Sequence, residues 1–175
     1  MKIHLSFLFY SPIGPERKCI KMEEFIKNHF TVIGKPGSTE SGDGFIPALW
    51  KDAESHFQEI AHLVKRNENG CPVGFWGAMS DMQMRFLPWE YDFQKGLYLA
   101  GAECRDDAEA PPDWTKWVIP GFRYLRTAVG KDYGITFSEG LSFLSQNHCD
   151  LVGAVQELTD PKNSISYLCF PIERL

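Results

Sequence analysis

The run Leu151-Val-Gly-Ala-Val-Gln-Glu157 leads through Leu158 into a Thr159-Asp-Pro-Lys-Asn163 turn and a second run, Ser164-Ile-Ser-Tyr-Leu-Cys-Phe-Pro-Ile172. Both runs are rich in β-formers and turn residues separate them, which is the pattern of two adjacent strands. Alternation along the first run puts Leu151, Gly153, Val155 and Glu157 on one sheet face. A carboxylate on an otherwise apolar face is costly to bury unless something pairs with it. Glu157 is therefore either a strand end reaching water or the anchor of a site that waits for a partner.

Working outward, residues 131–147 predict a helix whose apolar stripe is Tyr133, Phe137, Leu141 and Leu144, weakened by Gly134 and Gly140. Ahead of it, 114–119 and 121–129 read as strand pieces parted by Pro120, and 96–104 reads as a strong strand. Residues 105–113 form an acidic, Pro-containing loop. The segment 80–93, with two Met and Trp89 around Pro88, fits no single period. Residues 72–79 read as a strand. The clearest helix covers Ile46 to Val64, where apolar residues recur at three- and four-residue steps; Asp43 suits its N-cap, Pro47 its first turn, and Lys65 and Arg66 its end. Residues 35–44 read as a loop, and 18–25 and 30–34 as two strands.

The element order repeats with a period of about half the chain. The fold class expected is α+β: two pseudo-symmetric strand-helix-strand-strand modules, with antiparallel sheets and two main helices on one face. The opposite face, between the modules, is expected to form a ligand cleft. Residues 1–17 read as an N-terminal arm or extra strand, and 18–175 as the domain. The apolar part of the arm is short, is interrupted by Ser6 and lacks a small-x-small cleavage site, so it does not read as a signal peptide.

Composition narrows the function. The net charge is −5 and Lys and Arg are not clustered, which argues against direct nucleic-acid binding. No segment is long and apolar enough to predict a membrane span. The five cysteines include no C-x-x-C pair, so neither a disulfide framework nor a thiolate zinc site is expected, and a reducing cytoplasm suits them. Thirteen Phe, six Tyr and five Trp exceed what a core of this size needs, so some rings should line a cavity. Glu59 and His62 form an E-x-x-H pair without further ligands, and His148-Cys149 lacks a group to orient it. No metal or cofactor is expected.

Six stretches together resemble the GyrI-like small-molecule-binding family, the bacterial transcription-activator effector-binding domain. They are Phe30-Thr-Val-Ile-Gly34, Ile46-Pro-Ala-Leu-Trp50, Tyr98-Leu-Ala-Gly-Ala-Glu103, Trp117-Val-Ile-Pro-Gly-Phe-Arg-Tyr124, Gln156-Glu157 and Phe170-Pro-Ile172. The resemblance implies paired modules about a pseudo-twofold axis and a cleft for small, cationic or aromatic, lipophilic molecules. It also implies a cleft glutamate, which Glu157 matches. Members include effector domains behind DNA-binding domains, gyrase modulators, and hydrolases of strained cyclopropanoid molecules. No helix-turn-helix pattern is read ahead of the domain, so a stand-alone binding protein, as a possible homodimer or a separate regulator subunit, is the first expectation. The alternatives are a hydrolase using Glu157 and a modulator of a DNA-associated enzyme. The candidate ligand-binding residues are Glu157, Glu103, Trp76, Tyr98, Trp117, Tyr124 and Tyr167. The polar tips of Tyr and Trp want partners, and their rings suit a cation. Phe75 and Phe122 are expected in the core.

Overall fold

The computed structural model describes residues 20–175, and it joins eight antiparallel strands into one curled sheet. In chain order these are β1 (Glu23–Lys27), β2 (Phe30–Ser38), β3 (Phe75–Ser80), β4 (Leu97–Cys104), β5 (Thr115–Ile119), β6 (Phe122–Ala128), β7 (Gln156–Asp160) and β8 (Ile165–Arg174). Helix α1 (Phe45–Ser55) follows β2, a short turn α2 (Glu90–Phe93) precedes β4, and α3 (Tyr133–Gln146) follows β6. The expected arm lies outside the described residues.

The spatial order is β1-β6-β8-β7-β3-β4-β2-β5. One module is β2-α1-β3-β4 and the other β6-α3-β7-β8, and β3 and β7 meet at the centre. The outer strands are exchanged: β1 precedes β2 but pairs with β6, and β5 precedes β6 but pairs with β2. Each module thus closes the other's edge, which ties the two halves into one sheet.

Several boundaries differ from the sequence reading, each for a local reason. Strand β2 runs through Pro36, in the stretch expected to be a loop. Its pairing with β5 ends at Gly34, so Pro36 faces an open edge, where a missing N–H costs no ladder bond. Helix α1 is capped by Gly44 (φ 80°), not Asp43, and ends at Ser55. Beyond it a tight turn carries buried Ile60 and Leu63 to Val64, which bridges Cys104 of β4. The apolar period past Ser55 was real as burial but not as helix. The run 151–155 is also no strand. Its backbone bonds to isolated partners, Val152 N–H to Pro171 O and Ala154 N–H to Phe86 O. Helix α3 matches its expected span, with Asp132 as N-cap accepting from the Ile135 N–H.

The two faces of the sheet have opposite characters. Helices α1 and α3 lie on the face that carries Tyr98, Ala100 and Ala102 of β4. The other face curls onto itself around Trp76, Leu99, Trp117, Phe122 and Tyr124. That closed face is the one expected to hold the cleft. The expectation is corrected because the curl fills that side with its own rings, and the open space lies instead on the helix side.

Candidate ligand cavity

Strand pairing fixes which side chains meet on the helix face. Met79 pairs with Tyr98, Gly77 with both Ala100 and Glu157, and Phe75 with Thr159. The β3–β7 ladder stops at Gly77, and Gln156 then replaces it with its side chain. Its amide oxygen accepts from the Met79 N–H at 2.8 Å, and its NH₂ donates to Met79 O at 3.0 Å and to Ala154 O at 2.9 Å. Gln156 is fully buried and satisfies those backbone groups while the chain before it leaves the sheet. The strands part there, and a cavity of about 520 Å³ opens. Such a volume falls in the range of small-molecule sites.

Its walls come from both modules. Ile46, Pro47 and Trp50 project from α1, and Tyr133 and Phe137 from α3. Trp89 and Phe93 close a third side, and Met79, Val155 and Glu157 form the sheet wall. Phe93 meets Phe137 edge-on at 5.1 Å between ring centroids. Tyr91, Asp92 and Phe93 all have φ between 51° and 64°, so this wall is a left-handed turn of residues other than glycine. A smaller recess of about 260 Å³ adjoins the cavity and shares Trp50, Tyr133 and Glu157 with it.

Glu157 is half-buried and its carboxylate is held by phenols. Tyr98 Oη donates to Oε2 at 2.7 Å, and the Tyr133 phenol stands beside the carboxyl group and favours its ionised form. Trp50 Nε1 in turn donates to Tyr98 Oη at 2.9 Å. Burial raises the Glu157 pKa above the usual carboxylate range, and the two phenols pull it part of the way back. Burial, with the Glu157 charge adding to it, pushes the Tyr98 phenol far above its ordinary range, so it stays a neutral donor; the Tyr133 phenol shifts the same way beside Glu157, although its side chain is partly open to solvent. Among the described residues no cationic side chain contributes to this balance. Gly77 makes the contact possible: a Cβ there would collide with the Tyr98 hydroxyl and come within 2.7 Å of Glu157 Oε2. A glycine inside a strand is the sequence signal of such a close approach.

The sequence-chosen residues fall in different places. Glu157 and Tyr98 meet at the cavity, and Tyr167 borders the smaller recess with the Arg126 guanidinium 4.5 Å over its ring. Glu103, Trp76, Trp117 and Tyr124 lie in the closed core of the opposite face. There the Glu103 carboxylate pairs with Lys27 Nζ at 2.9 Å and accepts from Trp76 Nε1 at 3.2 Å, with Lys65 Nζ at 3.6 Å. Trp117 packs edge-on to Phe86, and Tyr124 stacks on Phe25 at 5.0 Å. The separation follows from alternation: Tyr98 and Glu103 are five residues apart on one strand and must face opposite ways. Trp50, Tyr133, Trp89, Phe93 and Phe137 were missed as site residues. Trp50 and the Tyr133/Phe137 pair were visible only as apolar helix stripes, which read the same whether they face a core or a cavity. Phe122 is buried in the core, as expected, whereas Phe75 is half-buried and packs against the core from a recess beside α1. Glu59 lies on the turn after α1 and accepts from Trp114 Nε1 at 2.7 Å. The four described cysteines carry no disulfide.

Neither a protein-family model nor a curated protein sequence matches the chain. Solved structures do. SAV2435 bound to tetraphenylphosphonium superposes with a TM-score of 0.58 at 17% identity, over 88% of this chain and 94% of that one. The C-terminal domain of EcmrR gives 0.61 at 11% identity, over 89% and 99%. EcmrR in a complex with DNA gives 0.61 at 10% identity, over 92% of this chain and 60% of that one. The fold is GyrI-like. The GyrI-like pairing of modules accounts for the central β3–β7 junction where Glu157 sits. No helix among the described residues is long and apolar enough to cross a membrane.

Proposed function

We propose that this protein binds a lipophilic, aromatic organic cation in the cavity between α1 and α3, with the Glu157 carboxylate as its counter-charge. The observation that carries the reading is a half-buried carboxylate on an aromatic cavity wall, held by neutral phenols and opposed by no cation among the described residues. A buried charge without a partner is costly, and a cationic ligand would offset that cost. At an effective dielectric of ~20 and a separation of ~5 Å the attraction is about 3 kcal/mol before desolvation. Trp50, Trp89 and Tyr133 would add cation–π contacts of about 0.5–2 kcal/mol each. The tetraphenylphosphonium complex of SAV2435 supports the same ligand class here. In this reading the protein works as a binding or sequestering module. The Glu103 core, Trp76, Trp117 and Tyr124 support the scaffold and do not touch the ligand.

Calorimetric titration with tetraphenylphosphonium and with tetraphenylborate, ions of similar shape and opposite charge, tests this directly. The cation should bind and the borate should not. Glu157→Gln should weaken the cation roughly tenfold to a hundredfold. Equal binding of both ions, or unchanged cation binding in Glu157→Gln, would refute the reading.

A further inference from the structure

We propose that a second recess beyond Trp50 binds a flat, uncharged aromatic molecule, independently of Glu157. This recess has a volume of about 420 Å³ and shares Trp50 with the larger cavity. It also shares Thr159 with the smaller recess beside Glu157. Thr159 lies two residues past Glu157 on the same sheet face, about 7 Å along the strand. The hollows therefore follow one another along the helix face of the sheet.

The chemistry of this recess differs from that of the cavity. Its walls are rings and small side chains: Phe57, Phe75 and Trp114 around Ala53 and Ala102. Phe57 and Phe75 meet edge-on at 5.9 Å, and both line the recess, where a third ring could pack against them. The polar groups that line it are engaged elsewhere. Trp114 Nε1 donates to Glu59, Trp50 Nε1 donates to Tyr98, and Thr159 Oγ1 shares a hydrogen bond with Ser166 Oγ at 2.9 Å. Glu54, the one carboxylate on its lining, is solvent-exposed. An anion entering here would lose its hydration and meet no donor to replace it, and the one counter-charge a cation would find on this lining, Glu54, is itself in solvent. A flat neutral ligand loses little hydration and gains ring contacts. Ala53 and Ala102 keep the floor low enough for a ring to lie on it.

The test uses N-phenylnaphthylamine, an uncharged fluorophore whose emission rises in apolar sites. Its emission with the wild-type protein should saturate, should persist under saturating tetraphenylphosphonium, and should be unchanged in Glu157→Gln. Nuclear Overhauser contacts should run from the probe to the Ala53 and Ala102 methyl groups. Ala53→Phe should fill the recess and weaken the probe about tenfold or more, while leaving tetraphenylphosphonium binding intact. If that variant does not fold, the competition and Overhauser arms on the wild type decide alone. Competition by the cation, loss of binding in Glu157→Gln, Overhauser contacts to Ile46 and Met79, or no binding at all would overturn the proposal. The probe arms read independently of the cation, so failure of cation binding at Glu157 would leave this result standing or falling by itself.

Discussion

Two glutamates of one sheet, on β4 and β7 with β3 between them, have opposite fates. Glu103 is almost wholly buried and is met by Lys27, by Lys65 and by the Trp76 indole. The Lys27 ammonium also lies 4.5 Å from the Phe30 ring centroid. Glu157 is less buried but among the described residues has no such cation; the Tyr98 phenol is its hydrogen-bond partner, with Tyr133 beside it. Glu103 closes a charge balance within the fold and ties the end of β1 to β4. Glu157 leaves its balance open toward a cavity. A carboxylate in a strand is therefore not informative by itself; what decides is whether the chain brings its own cation.

The sharpest way to break this comparison is to remove the internal cation. Lys27→Met should cost about 3–5 kcal/mol of stability, because it strips the nearest charge from a buried carboxylate. Urea denaturation measures it, and a loss below about 1 kcal/mol would mean that Glu103 tolerates its site as Glu157 does. The isosteric change then contrasts the two sites. Glu103→Gln should destabilise the protein, whereas Glu157→Gln should raise the melting temperature at neutral pH. The sign at Glu157 follows from its raised pKa. The folded chain holds this proton at pH values where the unfolded chain has lost it. The resulting stability is full below the ordinary glutamate range and is lost as the pH rises through the raised pKa. A melting series against pH should show that loss in the wild type and a smaller one in Glu157→Gln.

A smaller effect sharpens the phenolic side of the comparison. Tyr98→Phe removes one donor to Glu157 and leaves the Trp50 indole N–H without its acceptor, for about 1–3 kcal/mol. It should also move the Glu157 titration upward, since the lost bond favoured the ionised form; carboxyl-carbon chemical shifts report this. A titration that stays in place would remove Tyr98 from the account.

Much of the fold was legible because periodicity and turn chemistry are local. The span of α3, strand β4 and the duplicated order of elements could all be read from the chain. What could not be read was non-local. Pro36 sits in a strand because β5 ends opposite Gly34, and the 151–155 run is not a strand because Phe86 and Pro171 take its hydrogen bonds. The site was half legible. Glu157 and Tyr98 were chosen for their residue types, but alternation within β4 already forbids Tyr98 and Glu103 from sharing a cleft. Trp50 and Tyr133 come from helices whose orientation over the sheet only packing decides. Gly77 was readable as a close approach inside a strand, although nothing local names the Tyr98 and Glu157 side chains that meet over it.

The central claim is that an ionised Glu157 is what a cation binds. The affinity for tetraphenylphosphonium, measured across pH on the wild type and on Glu157→Gln, addresses it most directly. Wild-type affinity should climb as the pH rises through the raised Glu157 pKa and then level off, and the variant should bind weakly with little dependence on pH. Parallel curves of equal affinity for the two proteins would contradict the account.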